Sequence, residues 1–241
     1  EALDMLSDMH VHHVEVHMAP YSAAISACQK SARWSEVLSM ISEMWRRHLD
    51  PNVITYGAAI SACGRGAHWH EVFGLLSDMR RRRLEPNSHI YTAAISSCDR
   101  SARWSEALTI MLDMRRCRFE PGVMAYSAAI SACGGCANWH QALGMLSSMC
   151  SGHVESNVIA HTAAMSAYEA GARWPEALCL FSSMRSCRWE PTLITHNVAI
   201  SACGKGARWH EAVVMFSDML LRRWEPGTDT RNAVITACER G

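Results

Sequence analysis

The sequence repeats itself every 35 residues, and this period constrains the fold more than any other feature. A ring-bearing slot holds Tyr21, Tyr56, Tyr91, Tyr126, His161 and His196. A tryptophan slot holds Trp34, Trp69, Trp104, Trp139, Trp174 and Trp209. A methionine slot holds Met44, Met79, Met114, Met149, Met184 and Met219. A fixed period of this length is typical of a solenoid, in which each unit buries its apolar face against its neighbours.

The apolar residues within one repeat are spaced as two amphipathic helices, because they recur three and four residues apart. The apolar stripe of the first helix is clearest as Tyr56, Ala59, Ile60 and Cys63. That of the second helix is clearest as Trp104, Ala107, Leu108, Met111 and Met114. Each repeat is therefore predicted to be a helical hairpin, and the chain to be an all-α α-solenoid.

The polar residues, glycines and prolines predict where these helices begin and end. We expect Thr55 to cap the first helix at its N-terminus. The same slot in later copies holds Thr195 and Thr230. The turn at residues 64–66 carries two glycines and is predicted to end the first helix. The second helix is expected to begin near His70, and Pro86 blocks its continuation.

The period divides the whole chain into one array, residues 1–241, without a linker or a second domain. Partial repeats occupy residues 1–17 and 228–241, and six full repeats occupy 18–52, 53–87, 88–122, 123–157, 158–192 and 193–227. These six are called repeats 1 to 6 below. Because residues 1–17 match the second half of a repeat, we expect the sequence to be a fragment of a longer array. Neither end has a polar capping helix, so exposed apolar surface and self-association of the terminal repeats are expected.

Charge and hydropathy exclude some classes of partner. The 23 basic and 23 acidic residues balance, so bulk positive charge does not indicate binding to nucleic acid. No apolar run approaches the roughly 18 residues that a membrane-spanning helix needs, so no membrane association is expected.

Most of the 11 cysteines do not suggest disulfides or metal ligands. One slot on the first helix holds Cys28, Cys63, Cys98, Cys133, Cys203 and Cys238, where a buried free thiol acts as a small apolar group. Cys133 and Cys136 form a CxxC pair without a partner pair at zinc spacing. His13-Val-Glu15 with this pair lacks the Pro-Cys-x-x-Cys of zinc deaminases. The histidines at 10, 12, 13 and 17 have no fixed geometry, and no nucleophile–base pattern occurs. We therefore expect no metal, no cofactor and no enzyme activity.

The repeat resembles the pentatricopeptide repeat along the whole chain. The segments TYGAAISACGRGAHWHEVFGLLSDMRRRRLEPN and THNVAISACGKGARWHEAVVMFSDMLLRRWEPG carry the resemblance. The related tetratricopeptide repeat has a period of 34 and places its tryptophan in the first helix, whereas tryptophan here opens the second helix. The resemblance implies a right-handed superhelix of helix-turn-helix repeats that binds single-stranded RNA, with one base per repeat.

In the family, the fifth and last residues of a repeat contact the base edge. The resemblance assigns this role to the pairs Ser22 with Asn52, Gly57 with Asn87, Thr92 with Gly122, Ser127 with Asn157, Thr162 with Thr192, and Asn197 with Gly227. Serine, threonine and asparagine are short and can both donate and accept, as a Watson–Crick edge requires. These slots also vary between repeats while the core slots do not, although a variable polar slot is also what a solvated surface shows.

Two further sets of residues follow from the resemblance. The second residue of each repeat packs between bases in the family and is here Ala19, Ile54, His89, Met124, Ile159 and Ile194. A basic residue near the end of the first helix contacts phosphate and is here Lys30, Arg65, Arg100, Lys205 and Arg240. Repeats 4 and 5 lack this charge, because Gly135 and Ala170 hold the slot.

Departures from the family weaken the predicted specificity. No last residue is the aspartate common in the family, and Gly57, Gly122 and Gly227 offer no side chain. The family's pairing implies, from 5′ to 3′, adenine, any base, purine, adenine, purine and pyrimidine. Such proteins act mostly in mitochondria or chloroplasts, in RNA processing, stability, editing or translation, so we expect an organellar protein. The alternatives are a scaffold that binds protein or peptide, and an array that addresses an enzyme domain elsewhere in a longer chain.

Overall fold

The computed structural model describes residues 18–30, 33–186 and 189–241, which form thirteen helices and no strand. The first helices of the repeats are α1 (Met18–Lys30), α3 (Val53–Arg65), α5 (Ser88–Arg100), α7 (Val123–Gly135), α9 (Val158–Ala170), α11 (Leu193–Lys205) and α13 (Thr228–Arg240). The second helices are α2 (Trp34–Arg46), α4 (Trp69–Arg81), α6 (Trp104–Arg116), α8 (Trp139–Ser151), α10 (Trp174–Ser186) and α12 (Trp209–Leu221). The predicted all-α helical-repeat solenoid is confirmed.

The helices divide into two compact parts. One part contains the described residues up to Ser101 together with Glu106–Pro121, and the other contains Ala102–Ser105 and Gly122–Gly241. In both, successive first helices pack side by side, as α1 does on α3 and α7 does on α9. The second helices α2, α4, α8, α10 and α12 each pack on their own first helix and on the next one, as α8 does on α7 and α9. Within each part, first helices therefore form one layer and second helices the other.

The core consists of the apolar stripes that the period predicts. Tyr56, Ile60 and Cys63 are fully buried in α3, and Met111 and Met114 are buried in α6. Burying apolar surface stabilises the fold by roughly 25 cal/mol per Å². A hairpin buries its apolar stripes only against neighbouring repeats, so its stability depends on them. The predicted stripes are confirmed, with Trp104 and Leu108 half-buried at their edges.

The first helices begin earlier than expected, and the predicted threonine caps were wrong. The cap of α3 is Asn52, whose Oδ1 accepts the backbone N–H of Thr55 at 2.9 Å. Thr192 caps α11 in the same way by accepting from the N–H of Thr195. The expected threonines, including Thr230, lie three residues inside the cap, where the N–H needs an acceptor.

The first helix α3 ends within the predicted glycine turn, at Arg65, with Gly66 as its C-cap. Gly64 lies inside α3, and the residue with the left-handed backbone is Ala67, at φ 59°. The N–H of His68 reaches back to the carbonyl of Cys63 at 3.0 Å, which closes the helix end. The second helices begin at the tryptophan itself, one residue before the expected start.

Five of the six cysteines in the repeated slot are buried, as expected. Burial raises the pKa of Cys63, Cys98 and Cys203 to about 12, so these thiols stay protonated and unreactive. Cys238 is exposed, contrary to the expectation, because among the described helices only α11 and α12 pack on α13.

Several of the recurring tryptophans contact the next repeat, among them Trp34, Trp139 and Trp174. The guanidinium of Arg173 lies 4.5 Å from the ring centre of Trp139, and that of Arg208 lies 4.9 Å from that of Trp174. Cation–π contacts of this kind add to the burial of the ring. Gly206 lies against Trp174 so closely that a β-carbon there would overlap the ring.

None of the described helices is long and apolar enough to span a membrane.

Candidate nucleic-acid interface

The second residues of the repeats lie on the solvent-exposed side of the first helices. Ile54 is 71% exposed, Met124 65%, Ile159 62% and Ile194 65%. His89 is also exposed, and Ala19 lies in α1 but its side chain is outside the described part. Large aliphatic side chains with this exposure have an unpaired apolar surface that a flat ring could cover.

Repeat 2 shows how the predicted residues come together. A depression of about 250 Å³ between α3 and α5 is lined by four of them, Ile54, Gly57, Asn87 and His89. Gly57 leaves this depression open, and a β-carbon there would lie 3.3 Å from Ile90. A neighbouring depression of about 240 Å³ contains Arg65 and Arg100, together with His89 and Thr92. The structure thus places predicted base, stacking and phosphate residues on one surface.

We give the name reading face to the surface that the second, fifth and last residues of the repeats form within each compact part.

Several of the last residues cap the following first helix. Asn52, Asn87 and Asn157 each use Oδ1 to accept a backbone N–H, at 2.9, 3.0 and 2.8 Å. The carboxamide is thereby held, and its Nδ2 group carries the two remaining donors. Gly122 and Gly227 begin helices α7 and α13 without a side-chain cap.

The fifth residues differ in how much of each side chain a base can reach. Ser22, Thr92, Thr162 and Asn197 are half-buried at the surface of their helices. Ser127 is only 6% exposed, and its hydroxyl has no hydrogen-bond partner among the described residues. A base can meet the Ser127 hydroxyl only after that side chain rotates.

The basic residues of the phosphate slot lie at the ends of the first helices, and Lys205 and Arg100 contact protein groups there. Lys205 forms an ion pair with Glu169 at 2.7 Å. The guanidinium of Arg100 donates to the carbonyl of Arg65 at 2.9 Å. Arg65 and Arg240 are exposed, and the side chain of Lys30 is outside the described part. Contact with phosphate thus competes with Glu169 at Lys205, and it stays a prediction at every slot.

Sequence reasoning missed two groups that border the reading face. Glu169 accepts a hydrogen bond from Ser201 at 2.7 Å and pairs with Lys205. The third residues Thr55, Thr195 and Thr230 are buried and contact fifth residues of the preceding repeat. Their recurrence at 35-residue spacing was visible, but it suggested helix capping instead.

The cysteines and histidines that could suggest a metal site do not converge in the described residues. Cys133 is buried, and the exposed Cys136 contacts the carbonyl oxygen of Ala102 at 2.8 Å. No group of three potential ligands occurs among the residues that the structure describes. The cluster of His10, His12, His13 and His17 lies outside them.

This fold and this face define a class, the helical-hairpin repeat arrays with 35-residue units. The family model described as the pentatricopeptide repeat domain matches residues 4–66 and 145–206. Those of the PPR repeat family and the PPR repeat match residues 51–100 and 194–223. The chain belongs to the pentatricopeptide repeat family, as predicted.

Solved structures show the same fold at low sequence identity. The pentatricopeptide repeat protein PPR10 from maize is 21% identical, with a TM-score of 0.69 over 97% of this chain and 33% of that one. The chain thus spans about a third of the length of the maize protein. The PPR domain of Arabidopsis thaliana protein-only RNase P 1, solved in complex with tRNA, is 10% identical, with a TM-score of 0.64 over 75% of this chain and 95% of that one.

A third structure, nuclear proteinaceous RNase P 2 from Arabidopsis thaliana, is 8% identical, with a TM-score of 0.64 over 76% of this chain and 41% of that one. No curated protein matches the chain by sequence.

Proposed function

We propose that this array binds single-stranded RNA on its reading face, with one base per repeat. The observation that carries the proposal is the depression in which Ile54, Gly57, Asn87 and His89 meet. It combines exposed apolar and ring side chains with a carboxamide, and these are the groups that stack on a base and bind its edge. The family supports the same assignment, and one relative, the PPR domain of protein-only RNase P 1, was solved in complex with tRNA.

The proposal gives single strands preference over duplexes. An A-form duplex keeps its base edges paired and its major groove is too narrow for side chains to read. Residues at the second position, such as Ile159 and Ile194, can pack only on bases that are unstacked. The role is one of binding, and we propose that it serves RNA processing, stability, editing or translation in a mitochondrion or chloroplast, with no catalytic step in the array.

The test is binding of a labelled RNA whose six-base register is 5′-AUGAGC-3′, followed by fluorescence anisotropy. Duplex RNA and single-stranded DNA of the same sequence are the controls. The proposal predicts preference for the single-stranded RNA, and a loss of about tenfold in affinity from about 50 to about 200 mM salt, because only a few phosphates are neutralised. Equal binding to the duplex, or no binding at low salt, would contradict it.

A scaffold for peptides is the second candidate, and one observation favours it. Lys205 is neutralised by Glu169, while Ile54, Ile159 and Ile194 leave apolar side chains exposed. Such a face could hold an apolar peptide without any phosphate contact. The same titration decides between the two, since a peptide scaffold leaves the RNA anisotropy unchanged at every salt concentration.

A further inference from the structure

The third residue of the repeat lies under the reading face, where neither the resemblance nor the sequence gave it a role in binding. Thr195 is fully buried, and Thr55 and Thr230 are 1% and 4% exposed. Each contacts the fifth residue of the preceding repeat, at Ser22, Thr162 or Asn197. The equivalent residues after repeats 2, 3 and 4 have no hydroxyl and are Ile90, Ala125 and Ala160.

Thr195 joins both residues that repeat 5 offers to a base. Its Oγ1 lies 2.9 Å from Oγ1 of Thr162 and 3.0 Å from Oγ1 of Thr192. It also accepts the backbone N–H of Thr192 at 3.2 Å. A hydroxyl has one donor and two acceptor positions, and all three positions of Thr195 are therefore used.

The direction of each hydrogen bond in this cluster follows from counting protons. Thr162 donates its hydroxyl proton to the carbonyl of Val158 at 2.7 Å. The proton between Thr162 and Thr195 must therefore come from Thr195, which has only one. Thr192 must then donate its own proton to Thr195. Thr162 and Thr192 both have their protons engaged, and each presents only an acceptor to a ligand.

Two acceptors that are hydrogen-bonded to the same hydroxyl favour a base edge with two adjacent donors. Guanine has N1–H and N2–H₂ next to each other, whereas adenine and cytosine have one donor group beside an acceptor, and uracil has one donor between two acceptors. When the wrong base leaves polar groups of the site without a hydrogen-bond partner, binding is weakened by the free energy needed to remove those groups from water. This geometry narrows the purine expected at the fifth base to guanine.

We propose that Thr195 is a positioning residue that fixes the hydrogen-bond polarity of Thr162 and Thr192, so that repeat 5 reads guanine. This inference rests on the proposed binding of single-stranded RNA. Thr230 acts in the same way on repeat 6, where its hydroxyl donates to Oδ1 of Asn197 at 2.8 Å. The Nδ2 donors of Asn197 are then left for a base that presents an acceptor.

The test compares four RNAs that differ only at the fifth base of 5′-AUGAGC-3′. The wild-type protein is expected to bind the guanine RNA more tightly than the adenine RNA by about threefold to tenfold, as one or two directed hydrogen bonds allow. Thr195→Val removes the hydroxyl but keeps the shape of the side chain, and should bring this ratio close to one. Thr195→Ser restores the hydroxyl and should restore the ratio, which a purely structural role in packing would not require.

The outcomes separate this inference from the proposed function. Binding of all four RNAs with equal affinity by the wild-type protein would overturn the role of Thr195 and leave RNA binding intact. Retention of the guanine preference in a folded Thr195→Val protein would do the same. Absence of binding to any of the RNAs would overturn the proposed function, and this inference with it. The wild-type comparison decides even if the valine variant does not fold.

Discussion

Repeats 4 and 5 have the same two-helix scaffold, but they hold their reading side chains differently. In repeat 5, Thr162 and Thr192 are joined through the buried hydroxyl of Thr195. Repeat 4 is followed by Ala160 at the corresponding third position, and the hydroxyl of Ser127 is enclosed without a hydrogen-bond partner among the described residues. The difference teaches that the core slots determine where a reading residue stands, while one residue beneath it determines what that residue can donate or accept.

The largest effect is expected from disrupting a contact that both repeats have, between a tryptophan and a glycine of the next repeat. Trp139 of repeat 4 lies against Gly171, where a β-carbon would approach its Cδ1 to 2.7 Å, and Trp174 of repeat 5 lies closer still to Gly206. Gly206→Ala should lower the free energy of unfolding by about 1–3 kcal/mol, since the ring must move. Chemical denaturation measures this change.

The matched control for that variant is Gly144→Ala, because no atom lies within 4 Å of a β-carbon built there. This exposed helical glycine should gain up to about 1 kcal/mol of stability when replaced by alanine. Equal destabilisation by the two substitutions would show that the contact between tryptophan and glycine has no special role.

The second prediction concerns a substitution that gives repeat 4 the buried hydroxyl that repeat 5 already has. Ala160→Thr places a hydroxyl beside Ser127 and Asn157, as Thr195 does for repeat 5. We expect discrimination at the fourth RNA base to rise by about threefold, because one directed hydrogen bond is gained. Anisotropy with adenine or uracil at that base measures the ratio, and discrimination at the fifth base should not change.

Circular dichroism shows whether the Ala160→Thr protein keeps its fold. If a folded variant has the wild-type ratio of affinities for adenine and uracil at the fourth base, the comparison of repeats 4 and 5 is wrong. The third residue would then belong to packing alone.

The smallest effect concerns the ring slot, which holds Tyr126 in repeat 4 and His161 in repeat 5. Burial lowers the pKa of His161 below its ordinary value of 6.5, although a hydrogen bond with the carbonyl of Asn157 opposes the shift. As the pH falls through 6.5, the unfolded chain takes up a proton before the folded one does. The wild-type protein should therefore lose stability below this pH.

His161→Tyr restores the residue of repeat 4 and removes this titration. Melting temperatures of the two proteins at pH 7.5 and 5.5 should show a smaller decrease for the variant. An identical decrease would mean that the environment of His161 does not disfavour its charged form.

Most of the fold was predictable because the core slots repeat six times. Tyr56, Cys63 and Met79 are all fully buried, as helical spacing predicts. The helix caps were not predicted correctly, because Asn52 and Thr55 are both good caps in sequence and only the backbone shows which one accepts. Cys238 is an exception to the burial of this slot, because among the described helices only α11 and α12 pack on α13.

The reading face was predictable only in part. The resemblance named Ile54, Gly57 and Asn87, which the structure places around one depression. It could not show that the Ser127 hydroxyl is enclosed, or that Lys205 is paired with Glu169, because both depend on residues of other repeats. The proton order around Thr195 likewise involves two successive repeats, so no single repeat contains it.

The central claim is that each repeat reads one base and that the third residue of the next repeat determines how strictly it does so. The most direct measurement is the affinity of the wild-type protein for 5′-AUGAGC-3′ with each of the six bases changed in turn. The account predicts the larger losses at the first, fifth and sixth bases, whose repeats are followed by Thr55, Thr195 and Thr230, and small losses at the other three. Equal losses at all six bases, or none at any, would contradict it.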